Sequence, residues 1–101
     1  MSERVRFSKR ASKDILRIDR STRARVRTAL LGLMERPQHP NLDVRPLSGR
    51  SPWMRLRVGN VRVILRKLSA SETRSLDLEA PAYLIARIVD RRDLEEAVKP
   101  L

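Results

Sequence analysis

The sharpest pattern in the chain lies in residues 53–67, WMRLRVGNVRVILRK. Trp53, Arg55 and Arg57 alternate with Met54, Leu56 and Val58; Val61, Val63 and Leu65 then alternate with Arg62, Ile64 and Arg66. Period-two alternation rich in β-branched residues predicts two half-buried strands. Gly59-Asn60 between them fits a two-residue primed turn, because both residues tolerate positive φ. The turn sets the register: Val58 faces Val61, Arg57 faces Arg62, Leu56 faces Val63 and Arg55 faces Ile64. Arg55, Arg57 and Arg62 therefore share one face of the sheet.

Other segments follow weaker patterns. Val5 and Phe7 alternate in a short first strand over residues 4–7. Ser8 is placed to cap a helix over residues 8–19, with Ala11, Ile15 and Ile18 as a narrow apolar stripe that Leu16 widens. Asp19 or Ser21 can cap a second helix that runs to about Glu35, with Val26, Ala29, Leu30 and Leu33 on its apolar face. Pro37 and Pro40 end it. The short connection predicts a helical hairpin packed on one face of the sheet, leaving the other face free. Residues 39–52 read as a loop punctuated by Pro and Gly and pinned by Leu42, Val44 and Leu47; His39 reads as a surface residue of that loop. Residues 68–81 look polar and irregular, with a short strand at 75–79. Over residues 82–90, Tyr83, Ile85, Arg87 and Val89 alternate with Leu84, Ala86, Ile88 and Asp90, and the near-continuous apolar run predicts a central strand; residues 91–98 read as a short terminal helix. The expected fold class is α+β: an N-terminal strand, a two-helix hairpin, then a three- to four-stranded antiparallel sheet with a short C-terminal helix, in one domain spanning residues 1–101.

Composition sharpens this picture. The chain has 23 Lys and Arg against 12 Asp and Glu, a net charge of +11. The excess is uneven: residues 1–67 carry +13 and residues 68–101 carry −2. A charge this large on a small domain points to a polyanionic partner, either nucleic acid or an acidic protein. With Phe7, Trp53 and Tyr83 as its only aromatics, the chain lacks a base-stacking platform. It has no Cys and one His, which excludes a disulfide framework and a Cys/His metal site. No metal or cofactor is expected. No apolar run approaches a membrane span and residues 1–10 lack a signal-peptide core, so a soluble cytoplasmic protein is the default.

The arginines give the charge a location. Like charges directly opposite on a sheet are destabilising. An anion over the face relieves the Arg57–Arg62 pair; good hydration does so too. Arg rather than Lys favours the anion, because the planar guanidinium makes paired hydrogen bonds to oxyanions.

The element order, together with Phe7-Ser8-Lys9-Arg10-Ala11, Lys13-Asp14-Ile15, Arg45-Pro46-Leu47-Ser48-Gly49, the hairpin's R-x-R-x-G-x-x-R and Asp90-Arg91-Arg92-Asp93-Leu94, resembles the RelE/ParE toxin superfamily. The likeness covers nearly the whole chain and favours the RelE-like branch. It implies a toxin of a bacterial type II toxin–antitoxin pair: a metal-independent, ribosome-associated endoribonuclease that cuts mRNA and is neutralised by an acidic antitoxin. Arg55, Arg57, Arg62 and Arg91 are the positions that carry over as catalytic. Asp90 stands where nuclease members often have His or Lys, and Glu95 to Ala97 occupy the window of their Tyr. Arginine is a poor proton shuttle, so Glu95 or Glu96 is the candidate base, provided that burial raises its pKa. The alternative is a ParE-like inhibitor of DNA gyrase, or an inactive relative, sharing the fold without the nuclease residues.

Overall fold

The computed structural model describes residues 4–36 and 40–101; Pro37 and His39, with the expectations attached to them, lie outside the described residues. The elements are β1 (Val5–Phe7), α1 (Lys9–Leu16), α2 (Arg20–Glu35), β2 (Asp43–Pro46), β3 (Met54–Val58), β4 (Val61–Lys67), α3 (Ala70–Ser75), β5 (Tyr83–Asp90), a 3-10 turn (Arg91–Asp93) and α4 (Leu94–Val98). One five-stranded sheet has the order β1-β5-β4-β3-β2. Strands β2 to β5 are antiparallel, and β1 adds to β5 in parallel. This is the expected α+β architecture, with the helical hairpin preceding the four antiparallel strands.

Local chemistry starts both helices of the hairpin. The Ser8 hydroxyl accepts from the Ala11 amide and donates to the Ala86 carbonyl at 2.7 Å, so the cap of α1 is also its tie to β5. Asp19 caps α2 by accepting from Thr22. The helices bring Ala11, Val26, Leu30 and Leu33 against Leu56, Val58, Val61, Val63, Leu65, Ile85 and Ile88, which form the core. The alternation in β3 and β4 supplies that sheet face, in the register that the Gly59-Asn60 turn dictates. Gly59 alone takes positive φ there, +59°, as the first residue of the turn.

Five expectations need correcting. Leu16 does not widen the stripe of α1; it is 71% exposed, one position past the core-facing Ile15. The segment read as a loop contains β2, because the free edge of β3 offers backbone partners that outweigh the weak strand propensity around Pro46. No strand forms at 75–79. The chain makes α3 just before it, nucleated by a capping box in which Ser69 and Glu72 bond each other's amides. The sheet face away from the hairpin is not wholly free: Ile64, beside the arginines, is fully buried, and α4 packs against β5. Such an apolar residue at the sheet centre must be covered. Finally, β5 does not alternate strictly. Ile64 pairs with Arg87 but Leu65 pairs with Ile85, so Ala86 is an extra residue and the strand bulges. The bulge lets both Ile85 and Ile88 reach the core.

Strand β4 is locked to α3 by a fork: Arg66 donates to both Glu72 oxygens, at 2.9 and 2.7 Å, and its guanidinium lies 5.6 Å over the Trp53 ring. The Arg66 bonds, then the Ser69 amide, hold the Glu72 carboxyl down from 4.5 to about 2. A folded pKa below the unfolded one gives stability that is complete above pH 4.5 and is lost as pH falls through about 2. Trp53 is the only Trp and reports on this. Its fluorescence should shift as pH falls across that window, and Glu72→Gln should remove the pH dependence. A Trp53 titration identical in both proteins would refute the assignment.

Candidate anion-binding site

The site grows from the hairpin register. Arg57 pairs with Arg62 across β3 and β4 as expected, and the β2 pairing adds two residues to the same face: Asp43 opposite Arg57 and Arg45 opposite Arg55. Arg91 arrives from the far end of the chain. Its amide donates to the Asn60 carbonyl at 2.8 Å, which pins the start of the 3-10 turn to the hairpin tip. The structure thus brings Arg55, Arg57 and Arg91 within electrostatic reach of Arg62.

Arg62 sits at the centre. Its Nη1 donates to the carbonyls of Gly59 at 2.8 Å and Val61 at 3.1 Å, so the turn itself holds the guanidinium. Burial, then the charges of Arg57, Arg55 and Arg91, push its pKa below the usual arginine value; Asp43 acts the other way. The fold therefore keeps a cation where both burial and its neighbours oppose charge. The basic surface continues around the turn. Arg25 of α2 lies against Gly59, where a Cβ would meet its Nη1 at 3.0 Å. Beyond it, Arg25, Arg36 and Arg57 line a groove of about 720 Å³ with Leu42 and Leu56 in its walls.

Asp43 is the carboxylate inside the cluster. It lies 3.3 Å from Arg55, 3.4 Å from Arg45 and 3.9 Å from Arg57. Burial pushes its carboxyl up, but Arg55, Arg45 and Arg57 outweigh that and hold it below the ordinary range. Sequence reasoning missed Asp43 and Arg45, which fell in the supposed loop. Asp43-Val44-Arg45 alternates like Arg55-Leu56-Arg57, but a run of three residues before Pro46 is too short to predict a strand. Glu95 is not part of the cluster's ion pairs. It lies exposed on α4, as does Glu96, which pairs with Lys99. Neither has the burial that the base role requires. Among the described residues, no three His, Cys, Asp or Glu stand together as metal ligands could.

This arrangement can bind oxyanions through several guanidinium forks and can stabilise negative charge. Comparison with known proteins gives it a family. The model for "ParE toxin of type II toxin-antitoxin system, parDE" matches residues 5–95. The fold is similar to that of one chain in each of two solved antitoxin–toxin complexes. One comes from the RelB-RelE antitoxin-toxin complex of Methanococcus jannaschii (TM-score 0.65, 17% identity, covering 91% of this chain and 96% of that one). The other comes from the archaeal RelE-RelB complex of Pyrococcus horikoshii OT3 (TM-score 0.65, 22% identity, 90% and 97% covered). No match was found among curated proteins. The RelE likeness is one of fold, and the branch favoured from the motifs is not the one whose model matches. The matched span takes in β1 through the start of α4 and every arginine of the cluster, and on that ground the chain belongs to the ParE toxin family of type II toxin–antitoxin systems.

Proposed function

We propose that this toxin acts by binding and poisoning DNA gyrase, with the arginine face as its contact surface, rather than by cutting RNA. The observation that carries this reading is the state of Asp43. Metal-free RNA cleavage needs a base for the 2′-hydroxyl proton. The carboxylate in the cluster is shared by three arginines and held below its ordinary pKa, which makes it a weak base. What the face offers is charge and hydrogen-bond donors, the equipment of a docking surface. The family match points the same way. An antitoxin is the natural neutralising partner, and the basic face suits an acidic one; the two similar structures are complexes of RelE with RelB.

A second reading, ribosome-associated mRNA cleavage, draws on the gathering of Arg55, Arg57, Arg62 and Arg91, the positions that the RelE likeness marks. One pair of assays separates the two. Purified protein added to gyrase and supercoiled DNA should inhibit supercoiling and leave cleaved DNA, while primer extension in a translating lysate should show intact mRNA. Cut mRNA with unaffected gyrase would replace the first reading by the second.

A further inference from the structure

We propose that Asp43 is a built-in counter-ion, and that an acidic polypeptide segment docks on the arginine face by putting its own carboxylates in the place of Asp43. This rests on the reading of that face as the toxin's docking surface, and it adds the chemistry of the occupant and a residue that sets affinity.

The contrast between the carboxylates of this protein supports it. Where an arginine–carboxylate pair holds the fold together, it is a close fork: Arg66 on Glu72 at 2.9 and 2.7 Å, Arg87 on Asp14 at 2.8 and 3.3 Å. Asp43 is different. Three arginines share its carboxylate at 3.3 to 3.9 Å, and Arg55 Nη1 also reaches its backbone carbonyl at 3.5 Å. Three cations on one carboxylate leave the face positive and leave guanidinium donors available. Asp43 is also placed to yield. It begins β2, the edge strand of the sheet, and its side chain is 36% exposed, so it can turn to solvent without opening the core. Arg62, meanwhile, is oriented by the Gly59 and Val61 carbonyls rather than by a carboxylate.

The occupant follows from the same surface. A carboxylate already fits between Arg55 and Arg57. Single-stranded nucleic acid held without base readout gains affinity, beyond its phosphate contacts, by stacking on aromatic rings. Here Tyr83 is buried in the core, Phe7 packs against the core and Trp53, half-buried, already has Arg66 over its ring. The face thus has the charge for carboxylates and offers bases a single ring, Trp53, that Arg66 already stacks on.

The test is fluorescence anisotropy with a fluorescein-labelled oligo-glutamate peptide and, separately, a labelled single-stranded oligonucleotide. Asp43→Asn removes the competing charge and keeps an oxygen for Arg55. It should bind the oligo-glutamate about three- to tenfold more tightly at low salt, the range expected for releasing exposed pairs. The gain should shrink as salt rises. Asp77→Asn changes net charge equally on an exposed turn at φ 54°, which Asn tolerates, and should bind like the unaltered protein. Asp43→Glu should also bind like the unaltered protein, which guards against a mere loss of structure at β2. Equal gains in Asp43→Asn and Asp77→Asn would reduce the effect to net charge and overturn the proposal. So would unchanged or weaker oligo-glutamate binding by an Asp43→Asn protein with an unaltered melt. A gain confined to the oligonucleotide would assign the face to nucleic acid instead. The outcome is independent of the gyrase assay: a protein that ignores gyrase still gives a readable Asp43 result, and the converse holds.

Discussion

Asp14→Ala should be the most destabilising single change in the protein, costing about 3–5 kcal/mol, the range for removing one partner of a buried ion pair. Asp14 looks like an ordinary solvent-facing helix residue, yet it is only 8% exposed. Its carboxylate accepts from Arg87 Nε at 2.8 Å, from Arg87 Nη2 at 3.3 Å and from the Ile88 amide at 2.9 Å. Those donors belong to the bulge of β5, where an interrupted ladder leaves backbone groups to satisfy. Removing the carboxylate strands a half-buried guanidinium and a buried amide together. Domains of this size are stable by about 5–15 kcal/mol, so the variant should unfold at much lower urea. Asp14→Asn keeps one acceptor and should lose less. Asp14→Leu with Arg87→Leu should recover part of the loss, because removing both charges leaves nothing unpaired. Urea unfolding followed by circular dichroism measures all three. A loss under about 1 kcal/mol for Asp14→Ala, the scale of an exposed pair, would show that the pair does not hold the bulge.

Arg62→Ala should abolish growth inhibition in cells while the protein melts no lower than the unaltered chain. The two halves of this expectation come from one fact. Arg62 is charged against the effect of burial and of Arg57, Arg55 and Arg91, so the fold gains little or nothing from its charge. Removing it relieves repulsion across the β3–β4 pair, about 0.2–1 kcal/mol for facing like charges, against the loss of its bonds to the Gly59 and Val61 carbonyls. A partner that places an anion there loses a charged hydrogen bond, which weakens binding about ten- to a hundredfold. Arg62→Lys keeps the charge but not the planar fork and should also be impaired. Arg92→Ala, at a side chain 82% exposed, should remain fully toxic. Growth assays with thermal melts of the purified proteins check the set, and a folded, fully toxic Arg62→Ala protein would remove the arginine face from the mechanism.

What the sequence discloses depends on whether the deciding interaction is local. The β3–β4 register was legible because alternation and a two-residue Gly-Asn turn act within 15 residues, and with it came the shared face of Arg55, Arg57 and Arg62. Helix starts at Ser8 and Asp19 were legible for the same reason. Strand β2 was not: Asp43-Val44-Arg45 has too little apolar surface to announce a strand and forms one by adding to an edge. The bulge at Ala86 and the burial of Asp14 were not legible because each is explained by the other across more than 70 residues of chain. The electrostatic place of Arg91 was carried by the resemblance alone. Its physical cause, an amide bonded to the Asn60 carbonyl, lies in tertiary structure.

The strand order has a kinetic meaning. Strand β5 is the last to be synthesised, yet it lies between β1 and β4. Its pairing with β1 joins Val5 to Tyr83, a closure across 78 residues of chain. Long-range pairing of this kind must meet its entropy cost before contacts return it, and it slows folding. The β3–β4 hairpin can form locally and early, with Arg55, Arg57 and Arg62 already facing one way. Arg91 follows directly on β5 and joins them only once that strand has docked. A nascent chain therefore carries most of its positive charge long before it carries a finished anion site, and the site matures in the same late step that closes the sheet.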